Sequence, residues 1–175
     1  TAKAIREEIE KLSVPLTNLK ILFSAHGIPK KFVKDGDPYN NHVNQTVNAL
    51  VDELAIAHLD YVACYQSRVG PVEWLKPYTD AVILEAANKE KTIMVVPVAF
   101  VSEHSETLVE LDIEYRELAL ANGACGYIRI PTVGAKIDFI KGLAEMVQKA
   151  GNQTVGITNL GGELCNRSCI ACPLL

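Results

Sequence analysis

Several features that would announce a function are missing from this sequence. There is no excess of positive charge: 17 Lys and Arg stand against 21 Asp and Glu, a formal net charge of −4 at pH 7. Acids and bases are interspersed, and no basic patch is visible, which argues against a nucleic-acid partner. Long hydrophobic runs are absent too. A run such as Ile93 to Val101 is broken by Pro97 and is far shorter than the ~20 residues that span a bilayer. The opening residues do not read as a secretory leader, because Thr1 is followed by Lys3, Arg6, Glu7, Glu8 and Glu10. With no initiating methionine, the natural start is expected to lie elsewhere. Internal repeats, low-complexity stretches and linkers are also lacking. The sequence therefore reads as one domain over residues 1–160 and a tail over residues 161–175.

What is present suits a buried core. The 175 residues are 49% apolar and 22% charged, the profile of a soluble globular chain long enough for one well-packed domain. The five cysteines are Cys64, Cys125, Cys165, Cys169 and Cys172. An odd count with three clustered at one end does not resemble a secreted disulfide framework, so a reducing compartment is expected, with cytoplasm or organelle matrix as the default. Cys64 and Cys125 fall inside expected strands and read as small buried hydrophobes.

Apolar periodicity alternates between strand and helix. Ala4, Ile5, Ile9 and Leu12 mark a short helix that ends before Pro15. Leu19 to Ser24 reads as a buried strand, and Gly27 and Pro29 then force a loop. A long helix is expected from about Asn41, with Val43, Val47, Leu50, Val51 and Leu54 on one face. Tyr61 to Gln66 is a second strand, and Thr79 to Asn88 a helix with Thr79 or Asp80 placed to cap it. Thr92 to Phe100 is a third strand, apolar enough to be covered on both faces. A helix carrying Leu108, Leu111, Tyr115 and Leu118 follows, with Gly123 at its C-terminal cap. Tyr127 to Ile130 is a fourth strand, and Ile137, Ile140, Leu143, Ala144 and Val147 line a last helix that Gly151 closes. Strands alternating with helices imply βαβ crossovers, hence an α/β, three-layer Rossmann-like domain with a four-stranded parallel sheet flanked by helices.

In such sheets ligands lie beyond the carboxyl ends of the strands. The first strand ends at His26, the second leads to Arg68 and Trp74, and the third to Glu103, His104, Glu106 and Glu110. No G-x-G-x-x-G follows the first strand, which argues against a dinucleotide, and no P-loop motif is present. The G-x-S-x-G elbow of esterases is missing as well. His26 has a bland reading as a loop histidine bonded to neighbouring backbone. Directly after a buried strand it could also exchange a proton near neutrality or ligate a metal. Glu106 and Glu110 would lie one turn apart on an α-helix starting at Ser105; in the bland reading Glu106 answers the helix dipole and Glu103 or Ser102 simply caps. An imidazole facing several carboxylates also suits a transiently bound divalent cation. Trp74, the sole tryptophan, could plug the domain edge or pack against a flat aromatic ligand.

Three blocks carry a resemblance. Phe23 to Pro29 (FSAHGIP), Gln66 to Leu75 (QSRVGPVEWL) and Pro97 to Tyr115 (PVAFVSEHSETLVELDIEY) resemble, in the same order, the signature segments of the ferrochelatases, which insert Fe²⁺ into protoporphyrin IX. The resemblance covers roughly residues 19–130. It implies His26 as active-site base or metal-contacting imidazole, and Glu106 with His104 and Glu110 behind it as an acidic path for metal or protons. It implies Trp74, Phe100 and Ser24 in the porphyrin pocket. Ferrochelatases have two similar halves and this sequence matches the second, so it is expected to be inactive, or nearly so, without the first.

The resemblance further implies the cytoplasm of a bacterium, or the matrix side of a mitochondrial membrane. Homodimerisation and peripheral membrane association stay open, and no amphipathic anchor is visible here. The tail's Cys165-x-x-x-Cys169-x-x-Cys172 is similar in kind to the cysteine cluster of ferrochelatases that hold a [2Fe–2S] cluster. Such clusters take four thiolates and the tail supplies three; zinc with Cys64 or Cys125 as fourth ligand is the alternative. Rival functions are a cobalt or nickel chelatase for a more acidic tetrapyrrole, and a non-catalytic porphyrin- or metal-binding module. A hydrolase using His26 is a weaker option, because no nucleophile motif accompanies it.

Overall fold

A computed structural model describes residues 1–151; the tail cysteines Cys165, Cys169 and Cys172 and the expected boundary near residue 160 lie outside the described residues. In chain order the elements are α1 (Ala2–Lys11), a 3₁₀ turn (Leu16–Asn18), β1 (Leu19–His26), α2 (Lys30–Lys34), α3 (Tyr39–Leu54) and β2 (Tyr61–Gln66). Then come α4 (Thr79–Ala87), β3 (Thr92–Pro97), a π-helix (Glu106–Glu114), α5 (Tyr115–Ala121), β4 (Gly126–Arg129) and α6 (Ile137–Gly151).

The four strands form one sheet in the order β2-β1-β3-β4, with every pairing parallel. His26 pairs with Gln66 and Ser24 with Pro97, so the carboxyl ends of β1, β2 and β3 lie side by side. The two-residue period of β1 divides the core. Leu19, Ile21, Phe23 and Ala25 pack on Ala2, Ala4 and Ile5 of α1 and on Val43, Val47 and Leu54 of α3. On the other face Leu22, Cys64, Ile93, Val95 and Tyr127 meet α4 through Val82, Ile83, Ala86 and Ala87, together with Leu111 and Ala119. This is the expected three-layer α/β arrangement.

Four expectations change in detail. Thr79 does not cap α4: Tyr78 holds the N-cap position without a side-chain bond, and the Thr79 hydroxyl lies buried against Ser24 Oγ and Cys64 Sγ. Asp80 is in the first turn, where its Oδ1 accepts the Ala81 N–H. The segment after His104 starts as a π-helix rather than an α-helix, with i→i+5 bonding that ends where Tyr115 N–H donates to Glu110 O. Cys125 is exposed just ahead of β4, unlike Cys64, which burial pushes up to about 12 and keeps an inert thiol. Finally, no residue of α6 is buried among the described residues, although its apolar stripe is intact: Ile137, Ile140, Leu143, Met146 and Val147 are all exposed.

Gly123 behaves as expected. It follows the C-cap of α5 with φ +94°, a backbone state that glycine adopts without a steric penalty.

Candidate active site

The strand order places β2 on one side of β1 and β3 on the other, so the chain reverses direction across the sheet at β1. That switch point opens a crevice above the carboxyl ends of β1 and β3. Here His26, Ser67, Arg68, Val69, Trp74 and Glu106 line an open groove of about 380 Å³, within the range common for small-molecule sites. Val109, Glu110 and Glu114 continue its wall along the π-helix.

His26 is the last residue of β1 and is 39% exposed. Its Nδ1 lies 2.6 Å from Gly27 O. A carbonyl only accepts, so Nδ1 carries the hydrogen and Nε2 of the neutral ring keeps its lone pair. That Nε2 stands 3.6 Å from Glu106 Oε1, whose side chain is 38% exposed. The separation is too long for a hydrogen bond and short enough for a charge contact once the ring is protonated. Both groups face the groove, and the arrangement can take up a proton at Nε2 and balance it at Glu106.

Trp74 is tied to the same corner. Its indole N–H donates to Val69 O at 3.0 Å, and its ring centroid lies 6.5 Å from that of His26. An antiparallel bridge between Pro29 and Trp74 joins the loops after β1 and β2. Gly27 makes this closure feasible. A Cβ at residue 27 would sit 2.9 Å from Gln66 O and 3.2 Å from the Trp74 ring. Gly27→Ala is therefore expected to cost about 1–3 kcal/mol and displace the indole. A lower thermal midpoint with altered fluorescence of this single tryptophan checks it; an unchanged Tm would refute the packing argument.

The remaining expected residues are placed differently from one another. His104 turns its Nδ1 toward the Glu106 N–H, 3.2 Å away, and its ring packs 5.2 Å from that of Phe100. Phe100 is buried and backs His104 rather than the groove. Ser24 was expected in the pocket wall but is fully buried, with Oγ donating to Gln66 Oε1 at 2.8 Å. Glu110 is engaged by protein donors on both oxygens: Ser67 N–H and Tyr115 O–H on Oε1, and Gln66 and the Ser67 hydroxyl on Oε2. Only His26 and Glu106, of the four expected metal contacts, come together with free lone pairs. Among the described residues no three His, Cys, Asp or Glu side chains form a ready-made metal cluster.

Glu103 serves the scaffold. Its carboxylate accepts Arg129 Nη1 at 2.9 Å and the Thr132 N–H at 2.9 Å, which pins the loop after β3 to β4. Burial pushes the Glu103 carboxyl up, but hydrogen bonds from Thr107, Thr132 and Arg129 outweigh it and hold the group below the usual carboxylate range.

Sequence reasoning passed over Gln66, Ser67 and Tyr115. Gln66 was read as the end of a strand and the start of a resemblance block but given no role, and a buried glutamine leaves no periodic trace. Arg68, noted as a distinctive loop residue, is paired with Asp80 through two bonds of 2.9 and 2.7 Å, over the face of Tyr78. A second cavity lies at the opposite end of the sheet, lined by Lys20, Asp60 and Glu85 among others. Its charges neutralise one another, Lys20 on Asp60 and Lys89 on Glu85, and it converges on no unpaired group.

Fold and groove together define an α/β domain that offers an imidazole and a carboxylate to a small molecule at the switch point of a parallel sheet. The family can be named more closely. A family model described as ferrochelatase matches residues 1–151, and the chain belongs to the ferrochelatase family. It is 52% identical to a ferrochelatase of Pelagibacter ubique over 143 residues, 82% of this chain and 42% of that protein. It is 44% identical to one from Caulobacter vibrioides over 173 residues, 98% of this chain and 49% of that protein. A Rickettsia prowazekii ferrochelatase is 52% identical over 137 residues, 78% of this chain and 40% of that protein. The chain thus spans about half, or a little less, of the length of these relatives.

Proposed function

We propose that this chain is the C-terminal half of an enzyme that inserts Fe²⁺ into protoporphyrin IX, with His26 and Glu106 as the reacting pair. The observation that carries the reading is the Nε2-to-Oε1 approach of 3.6 Å at the floor of the groove. Insertion exchanges two pyrrole N–H protons for one Fe²⁺, so the site must accept protons while a divalent cation arrives. The bare Nε2 of His26 accepts one pyrrole proton, the imidazolium is balanced by Glu106 and gives that proton to solvent across the open groove, and the same nitrogen then accepts the second. Glu106 and the acidic wall behind it, Glu110 and Glu114, attract the incoming cation, while the His104 ring backs Glu106. Trp74 and the apolar rim formed by Val69 and Val109 suit a flat aromatic ring.

The groove is open on one side, which supports a second wall supplied by the half of the protein that this chain does not match. The chain alone is accordingly inactive or nearly so. Location in the cytoplasm fits the cysteine pattern, and among the described residues no helix is long and apolar enough to cross a membrane. A [2Fe–2S] cluster on Cys165, Cys169 and Cys172 needs a fourth thiolate. Buried Cys64 does not offer one, whereas Cys125 is free and exposed, and no step here depends on a cluster.

The test is an anaerobic assay of the full-length parent protein with Fe²⁺ and protoporphyrin IX, beside the 175-residue chain. Turnover by the parent and none by the chain is the expected result. Porphyrin binding without turnover by the parent would make it a binding module; turnover by the chain alone would overturn the need for a second wall.

A further inference from the structure

We propose that Tyr115 is a positioning residue for this site, acting through Glu110 and Gln66 to fix Glu106 against His26. The inference rests on the functional reading above and concerns a group that touches neither metal nor porphyrin. Tyr115 sits where the π-helix passes into α5, and it holds Glu110 twice: its N–H donates to Glu110 O and its hydroxyl to Glu110 Oε1 at 2.8 Å. The i→i+5 register of the π-helix lets one residue make both bonds.

Glu110 in turn gathers the loop after β2. It accepts the Ser67 N–H at 2.9 Å and the Ser67 hydroxyl, holding that residue at φ +61°, a backbone state unfavourable for a side chain. Gln66, 2% exposed, closes the circuit. Its Nε2 donates to Glu110 Oε2 at 3.1 Å and to Glu106 O at 3.0 Å, while its Oε1 accepts from Ser24 of β1. Glu106 is therefore held by its backbone to the same network that is anchored on the strand bearing His26. With protein donors on both of its oxygens, Glu110 acts as an anchor, not as an open metal ligand. Removing the Tyr115 hydroxyl takes one of the two donors from Oε1 and leaves the carboxylate held from the Ser67 and Gln66 side alone, so it shifts toward them and the Glu106 carboxylate loses its fixed distance to Nε2.

The test uses the full-length protein and four variants, Tyr115→Phe, Ser67→Ala, Glu110→Gln and the double variant Tyr115→Phe/Glu110→Gln. Each is assayed anaerobically well below its Tm, with separate KM values for Fe²⁺ and porphyrin. A misplaced reacting group lowers kcat, and a fall of about tenfold or more is expected for Tyr115→Phe, with both KM values within about twofold of wild type. Ser67→Ala, which removes another donor to the same carboxylate, shows the same pattern. The double variant is no slower than Glu110→Gln, because both changes break one chain of contacts. A wild-type kcat in Tyr115→Phe with only a lower Tm would reduce Tyr115 to a structural contact and overturn the inference. So would a raised KM for Fe²⁺ in Glu110→Gln alone, which would make Glu110 a ligand. Should Tyr115→Phe fail to fold, Ser67→Ala decides by the same criteria. A wild-type parent that does not chelate removes the functional reading and this inference with it; an active parent with an unaffected Tyr115→Phe removes only the latter.

Discussion

Replacing His26 with alanine in the full-length protein is expected to lower chelatase turnover by about 10²–10⁴, the range general acid–base help supplies, with porphyrin binding retained. The magnitude follows from what the imidazole alone can do. Its Nδ1 is committed to Gly27 O, so one nitrogen, Nε2, faces both the groove and Glu106. His26 is the only imidazole among the residues that line the groove. His104 spends Nδ1 on the Glu106 N–H, and Glu110 is ringed by donors. Glu106 remains in the variant, so cation attraction survives while proton acceptance does not. Anaerobic turnover with Fe²⁺, beside a porphyrin fluorescence titration, separates the two effects. Wild-type turnover in His26→Ala would remove the imidazole from the chemistry and leave Glu106 as the proton acceptor.

The architecture was legible because its signals are periodic. Tyr61–Gln66 is found in the structure with the boundaries its composition suggests, and Thr92 is the first residue of the third strand as expected. Ends were less legible. The third strand stops at Pro97 rather than Phe100, where Ala99 enters the left-handed region at φ +63° and turns the chain toward the site. The short helix Lys30–Lys34 was not anticipated, since five residues carry too little pattern to register. The apolar stripe of α6 was legible as a stripe, but periodicity says that a face is apolar and not what covers it.

The site was legible where chemistry-bearing residues fall at strand ends. His26, Glu106 and Trp74 were drawn together by the parallel-sheet rule, and they line one groove. Its polar supports were not legible. Gln66, Ser67 and Tyr115 act through single hydrogen bonds that no spacing encodes, and the π-helix arises from i→i+5 bonding that the apolar pattern does not distinguish from α. The pattern likewise could not tell that Ser24 faces inward or that Cys125 lies outside its strand.

Arg129→Met is expected to destabilise the protein by about 2–3 kcal/mol and to flatten its loss of stability in acid. Arg129 is the last residue of the edge strand β4, with its side chain 10% exposed. Its Nη1 donates to both oxygens of Glu103, at 2.9 and 3.1 Å, while Nε makes a 3.3 Å charge contact to Asp112 without hydrogen-bond alignment. Methionine keeps the apolar stem and removes the charge, leaving two carboxylates with diminished compensation. Asp112 retains Arg116 and Glu103 retains the Thr132 N–H, so the cost stays below that of stripping a fully buried pair.

Both carboxyls are held below their ordinary range in the folded state. For Asp112 the Arg116 hydrogen bond is the largest cause, burial opposes it, and Arg129 adds to the lowering. For Glu103 burial is the largest effect and is overcome by its three donors. A depressed folded value means that the folded state binds fewer protons than the unfolded chain. The stabilisation is therefore complete above the ordinary carboxylate range, near pH 4, and fades as pH falls below it. Arg129→Met forfeits Arg129's share at neutral pH and has correspondingly less to lose in acid. Urea midpoints for both proteins at pH 7 and at about pH 3.5 decide the matter. The gap between them should be widest at pH 7 and narrow at the lower value; an equal gap at both would mean that Arg129 contributes packing alone. The same clamp holds the loop that leads from β3 into the π-helix, so the variant should also loosen the setting of Glu106. A chelatase kcat that falls alongside the pH 7 stability, at a temperature where the variant is fully folded, would tie this edge of the sheet to the chemistry at its centre.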